Sequence, residues 1–342
     1  MVKDLFYTPT LLAQHLVSFI NKRDISTIAD FCVGGGELLI AAKKRWPDAD
    51  FFGCDISRSA INLLRKRYPD WMFSKCNFLN PKSRDSSTIL KKKYDLILLN
   101  PPFTCKGATI ETISFEGTQY QMSTSMAFFV EAIPYLKNDG IMYAILPQSI
   151  AYSKKDERIR LYLKERYNFR ILEERNNQEF EKCAPNIVLA SINDRNIFPV
   201  HDTVKKINIG IKDLQIQRGN ISMHEIKATD ETSIDLIHST NLKDNRIVNL
   251  KHKVDPIRSR IEGPALLIHR VGQPNINKLC VINENEVYAL SDCIIAIKAQ
   301  TYEECNLLKK IILKNWEDFF NLYKGTGAKY ITVERLRNFL NP

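Results

Sequence analysis

The residues best suited to chemistry are Asn100-Pro101-Pro102-Phe103, which directly follow the apolar run Tyr94-Asp95-Leu96-Ile97-Leu98-Leu99. Asn100 and Pro101 each precede a proline, which drives both toward extended backbone. Proline has no N–H to donate, so the segment offers mainly acceptors in a stiff frame. An aromatic amine fits that frame. The Asn100 side-chain oxygen and the Pro101 carbonyl would each accept one N–H, while Phe103 stacks on the attached ring. Accepting both hydrogens returns electron density to a nitrogen that otherwise shares its lone pair with the ring. The amine then becomes a nucleophile without a strong base. Alone, the tetrapeptide is equally well read as an Asn-Pro turn closing a strand, with Phe103 in the core.

Three upstream segments add to it. Ile28-Ala29-Asp30-Phe31-Cys32-Val33-Gly34-Gly35-Gly36-Glu37-Leu38-Leu39 reads as a short strand, a glycine turn and a helix start. Such a turn lets a ligand approach the backbone and exposes unpaired N–H groups. Phe51-Phe52-Gly53-Cys54-Asp55-Ile56-Ser57 is a strand ending in an acid 19 residues after Gly36. An acid at that distance suits ribose hydroxyls, although Asp55 can equally cap a helix beginning at Ser57. Phe6-Tyr7-Thr8-Pro9-Thr10-Leu11 is by itself an ordinary helix start, with proline in the first turn.

In this order, the four segments resemble the N6-adenine DNA methyltransferases of the gamma order, over roughly the first 190 residues. That family places its cofactor motifs first, the catalytic tetrapeptide next and target recognition last. The resemblance implies S-adenosylmethionine as cofactor, touched by Tyr7, Thr8, Pro9, Asp30, Gly34, Gly36, Asp55, Ile56, Asn77 and Phe78. It also implies that Asn100, Pro101, Pro102 and Phe103 hold the target base. Two departures stand out. Phe31 and Gly35 occupy positions where the family has proline and a small residue, and Asn77 replaces an acid that reads the cofactor's adenine amine. Asparagine keeps an acceptor oxygen, and Phe78 either packs on that adenine or fills the core. Phe180, ahead of the strand at 187–192, matches an aromatic that packs on the flipped base in family members, and is equally a core residue.

The elements that must position these residues alternate strand and helix through residue 150, which predicts a doubly wound parallel sheet. The expected fold is α/β: a Rossmann-like methyltransferase sheet with helices on both faces over 1–195, then a smaller α+β recognition domain over 196–342. Residues 104–123 read as a long polar connection, a candidate flap or surface insertion. Residues 303–322 read as one amphipathic helix burying Leu307, Leu308, Ile311, Ile312 and Phe319.

The 342 residues carry a formal net charge of +10 and are 44% hydrophobic, which suits a folded chain with a polyanionic partner. The eight cysteines show neither metal-ligand spacing nor a disulfide framework, and no metal is expected. With no apolar leader and no membrane-length run, the expected location is the cytoplasm, away from membranes.

Beyond residue 195, short Ile- and Val-rich stretches alternate with basic residues, among them Arg218, Arg258, Arg260 and Arg270. The segments Leu266-Leu267-Ile268-His269-Arg270-Val271-Gly272-Gln273-Pro274 and Gly325-Thr326-Gly327-Ala328-Lys329-Tyr330-Ile331 resemble target-recognition regions of type I restriction specificity subunits. The partners so implied are double-stranded DNA and a cognate restriction endonuclease. Two other readings stay open. The same tetrapeptide serves RNA and protein-amide methyltransferases, and the departures at Phe31 and Asn77 are compatible with a DNA-binding specificity protein lacking catalysis.

Overall fold

A strand covered on both faces must be apolar at nearly every position, as residues 94–99 and 141–147 are. In the computed structural model these runs form adjacent central strands. The structure describes residues 8–103, 110–176, 185–194, 207, 209–211, 213–223, 233–255, 259–325 and 328–340. Tyr7, Phe180 and Arg258 lie outside the described residues. The chain divides into two compact units, 1–201 and 202–342.

The first unit contains strands β1 (Thr27–Asp30), β2 (Asp50–Asp55), β3 (Met72–Lys75), β4 (Tyr94–Leu99), β5 (Ile110–Phe115), β6 (Thr118–Ser123), β7 (Leu136–Pro147), β8 (Arg170–Arg175) and β9 (Ile187–Ile192). Its main sheet has the order β3-β2-β1-β4-β7-β9-β8. Neighbours from β3 to β7 are parallel, and β9 runs antiparallel to both β7 and β8. Helices are α1 (Thr10–Ser18), α2 (Glu37–Lys43), α3 (Arg58–Arg67), α4 (Pro81–Asp85), α5 (Thr124–Ala132), α6 (Ser149–Tyr152) and α7 (Glu157–Tyr167).

Alternate strand residues feed two cores. Ile28, Phe51, Leu96, Leu98 and Ile145 pack with Leu16, Leu39 and Ile61 of α1, α2 and α3 on one face. Ala29, Phe52, Ile97, Leu99 and Ala144 pack with Phe129 of α5 and Leu163 of α7 on the other. Helices therefore cover both faces of a Rossmann-like sheet.

Parallel register sets the site. Asp30 pairs with Leu98 and with Gly53, and Asp55 pairs with Lys75. Cys32, Asp55, Asn77 and Asn100 thus all emerge at the carboxyl ends of neighbouring strands, where open α/β sheets bind ligands.

The segment after the tetrapeptide departs from expectation. Residues 110–123 are not an irregular connection but an antiparallel hairpin, β5 with β6. Its two-residue loop, Glu116-Gly117, has positive φ at both positions (46° and 77°), as a primed hairpin turn requires. The sequence carried the signal: Phe115 and Thr118 flank a Glu-Gly pair between alternating stretches. The Tyr162 and Tyr167 hydroxyls both donate to the Glu116 carboxylate, tying the turn to α7.

The second unit contains β10 (Gln215–Arg218), β11 (Ile234–Ile237), β12 (Leu242–Lys243), β13 (Arg246–Ile247), β14 (Lys253–Val254), β15 (Arg260–Glu262), β16 (Ala265–His269), β17 (Cys280–Ile282), β18 (Val287–Leu290) and β19 (Ile294–Lys298). Two four-stranded sheets result, ordered β10-β19-β16-β17 and β14-β11-β18-β15. Helices α8 (Tyr302–Lys314), α9 (Trp316–Phe320) and α10 (Val333–Leu340) complete this α+β unit.

The single helix expected at 303–322 is two. Asn315 leaves helical geometry (φ −110°, ψ 37°) while its side-chain N–H donates to the Ile311 carbonyl at 2.9 Å, ending α8. Leu307, expected in the buried stripe, is 48% exposed; Leu308, Ile312 and Phe319 are buried. None of the described helices is long and apolar enough to cross a membrane.

Candidate active site

The glycine turn is locked by its own acids. Gly36 caps α2 with φ 91°, a conformation that favours glycine, and a Cβ there would lie 2.9 Å from Leu64 Cδ2 of α3, whose methyl would have to shift. The Gly34 N–H donates to Asp55 Oδ2 at 2.9 Å, and the Ser57 N–H donates to Asp55 Oδ1 at 2.8 Å. Asp55, 7% exposed, therefore braces the turn and also opens α3, where Ser57 is the N-cap. Each of its oxygens still has lone-pair capacity for a ligand hydroxyl. Ile56 beside it is 47% exposed, an uncovered apolar side chain at the same edge.

Asp30 lies beneath this turn, 1% exposed, with Oδ1 accepting the Cys32 N–H at 2.9 Å. Burial pushes its carboxyl up to about 7; the Cys32 hydrogen bond opposes that rise, and the charges of Asp55 and Glu37 reinforce it. Burial also raises Glu37. Three carboxyl groups thus crowd one glycine turn. S-adenosylmethionine carries a sulfonium and an ammonium, so this acidic, glycine-lined cradle suits it in charge and in backbone access.

Asn100 is held from two sides. Its Nδ2 donates to the Thr8 hydroxyl at 2.9 Å, and its backbone N–H points at the Cys32 thiol. The tetrapeptide is thereby fastened beside the glycine turn. Ser125, at the start of α5, donates its hydroxyl to the Pro102 carbonyl at 2.8 Å and fixes the outer end. Sequence reasoning missed Cys32, Glu37 and Ser125. Only Ser125 left a signal, in the Ser123-Thr124-Ser125 run that starts a helix.

Two aromatics with two open readings lie in the core of the structure as it stands. Phe103, expected either to stack on the ring of the amine or to fill the core, is the first. It is 3% exposed and belongs to the apolar cluster under α1 and α2, where the ring escapes water when no base covers it. Phe78, expected either on the cofactor's adenine or in the core, is the second. It is 1% exposed and stacks on Phe31, with ring centroids 4.8 Å apart and planes at 22°. This stack accounts for Phe31 as well, since a proline there would remove the ring stacked on Phe78 and leave it the tilted ring contacts with Phe128 and Tyr135. Asn77 stays half-buried at the end of β3, with its N–H donating to Ser83 Oγ at 2.9 Å. Thr8 is buried and Pro9 half-buried at the start of α1.

Residues 10–173 match the family model of the methyltransferase small domain, slightly less than half of the chain. The N-terminal unit is an S-adenosylmethionine-dependent methyltransferase domain. Relatives of this methyltransferase unit differ in how much of the chain they share. Uncharacterized protein MG259 of Mycoplasma genitalium is 30% identical over 110 residues, 32% of this chain, and the chain spans 24% of that protein's length. Modification methylase CviBIII of Paramecium bursaria Chlorella virus NC1A is 23% identical over 367 aligned positions, covering 98% of this chain and 92% of the methylase. Ribosomal RNA large subunit methyltransferase G of Shewanella halifaxensis is 28% identical over 158 positions, covering 43% of this chain and 34% of that enzyme.

Outside the methyltransferase unit, the arginines singled out from sequence fall into two settings. Arg260 faces Glu262, with N···O 3.8 Å, and is about half exposed. Arg218 and Arg270 converge on Asp292. Among the described residues no cluster of three metal-ligating side chains occurs.

Proposed function

We propose that the chain methylates the N6 amine of adenine in duplex DNA, with the base turned out of the helix into the Asn100 cradle. One observation carries this reading. The Asn100 amide donates its Nδ2 to the Thr8 hydroxyl at 2.9 Å, which fixes the side chain beside the glycine turn and distinguishes its donor end from its acceptor oxygen. Asn100 Oδ1 and the Pro101 carbonyl accept the two amine hydrogens and orient the nitrogen lone pair. S-adenosylmethionine supplies the methyl group. Asp30, Gly34, Gly36, Asp55 and Ile56 hold it, with Thr8, Pro9 and Asn77 at the rim. Phe103 leaves its apolar cluster to stack on the base, which replaces one buried contact by another. Acceleration then comes mainly from positioning, and the amine proton passes to solvent after transfer.

Unstacking the base costs a few kcal/mol, offset by contacts to the DNA backbone. Residues 196–342 supply those contacts and the sequence recognition. The net charge of +10 supports a polyanionic substrate, and a modification methylase aligns across both units. In this reading the enzyme works in the cytoplasm, and a cognate restriction endonuclease shares its recognition site. The likeness to a ribosomal RNA methyltransferase favours a second reading, an RNA amine held by the same acceptors, but that likeness covers only 43% of the chain.

The test is incubation of the full chain with methyl-labelled S-adenosylmethionine and, separately, duplex DNA, ribosomal RNA or protein. Label is expected in duplex DNA as N6-methyladenine at one recurring sequence. Label confined to RNA or protein overturns the proposal.

A further inference from the structure

Three distant segments of the second unit meet at Asp292. It lies in the short link between β18 and β19, with its N–H donating to the Ile221 carbonyl at 2.9 Å. Its own carbonyl accepts two guanidinium groups: Arg270 Nε at 2.7 Å and Arg218 Nε at 3.4 Å. Each arginine also has an N atom 3.9 Å from the same carboxylate oxygen, Asp292 Oδ2. Arg218 ends β10, and the following residue must be glycine, because a Cβ on Gly219 would run into the carbonyls of Leu290 and Ser291. Arg270 follows β16, where its N–H donates to the Cys293 carbonyl at 2.7 Å. Main-chain contacts thus fix the backbones of both arginines, and the Asp292 carbonyl holds the Arg270 fork closely and the Arg218 fork more loosely.

The charge is unbalanced. Two permanent cations share one carboxylate at a separation too long for a charge-assisted hydrogen bond, and Arg270 is only 16% exposed. A tetrahedral anion with several oxygens satisfies two planar forks better than one carboxylate does.

We propose that Arg218 and Arg270 clamp one backbone phosphate of duplex DNA, and that the Asp292 carboxylate holds the phosphate's place in the free protein. This rests on DNA being the substrate. A resident carboxylate lowers affinity for any polyanion, so the clamp engages when neighbouring contacts have already docked the duplex. Phosphate contacts position without reading bases, which predicts an effect independent of DNA sequence.

The experiment is fluorescence anisotropy of a labelled duplex of arbitrary sequence against the full chain over a range of salt, for wild type, Arg218→Gln and Asp292→Asn. Both altered side chains are substantially exposed, and thermal melting checks that the fold persists. Arg218→Gln is expected to weaken binding about tenfold and to lower the slope of log K against log salt by about 1. Asp292→Asn is expected to tighten binding several-fold. Unchanged affinity and slope in Arg218→Gln overturn the clamp, as does Asp292→Asn binding no tighter. Methyl transfer is measured in parallel. Absent transfer with a reduced slope removes the methylation reading and leaves the clamp standing, whereas normal transfer with an unchanged slope removes the clamp alone.

Discussion

Each unit holds a cluster of like charges, and the two are neutralised differently. Around the glycine turn, Asp30 is buried against Asp55 and Glu37, and the strain is met by a proton, since burial pushes Asp30 up to about 7. In the second unit Arg218 and Arg270 crowd together, and a guanidinium does not shed its proton near neutrality. That cluster therefore carries its own anion, Asp292. An acidic site for a cationic ligand can hold a proton on one buried carboxyl until the ligand comes, whereas an arginine site for an anionic ligand must be built with a substitute already in it.

The largest effect separates the acidic turn from the cradle beside it. Asn100→Ala removes the only side-chain acceptor proposed for the amine, and methyl transfer should fall by about 10³-fold, the scale of losing one preorganised polar contact to the reacting atoms. S-adenosylmethionine binding, measured by titration calorimetry, should stay near the wild-type value because the acids and glycines are untouched. A variant that keeps its turnover, or that loses cofactor and turnover together, removes the division of labour between turn and cradle.

The two clusters also differ in how much of them the sequence disclosed. Asp30, Gly36, Asp55 and Asn100 each close a strand or open a helix, so hydrophobic runs and turn residues located them, and parallel register then aligned them. The contact between Asn100 and Thr8 spans 92 residues and has no local signature. Nor has the meeting of Arg218, Arg270 and Asp292, which depends on sheet pairing among β10, β19 and β16. Phe78 and Phe103 show the converse. An aromatic after a strand carries the same pattern whether it faces a ligand or the core, and both rings lie in the core here. The β5–β6 hairpin was legible from its Glu-Gly turn, but its polar strands looked like loop because only one face is covered.

A smaller effect tests whether the turn is rigid by construction. Gly36→Ala places a side chain at φ 91° and 2.9 Å from Leu64. The backbone term alone is worth about 1 to 3 kcal/mol. Thermal melting should show that loss, and S-adenosylmethionine should recover part of it by binding the folded state. Wild-type stability would mean that the turn adapts, and that glycine is there for ligand access alone.

A pH-dependent effect follows from the proton on Asp30. An unfolded aspartate ionises near 3.9, and the folded one near 7, so between these values the folded state binds the extra proton. Stability of the free protein should therefore fall as pH rises from about 4 to about 7, and level off above that. Cofactor affinity should move the other way. The ionised carboxylate attracts a cationic ligand and the protonated one does not, so the apparent Kd should drop by up to about tenfold per pH unit below about 7 and flatten above it. Asp30→Asn imitates the protonated state and keeps an oxygen for the Cys32 N–H. It should bind S-adenosylmethionine weakly at every pH and flatten both profiles. Calorimetric titrations across this range, in buffers of different ionisation enthalpy, count the protons released on binding. A wild-type Kd independent of pH, or an Asp30→Asn variant that keeps the slope, would place the titrating group elsewhere and end the contrast between a site neutralised by a proton and one neutralised by a resident side chain.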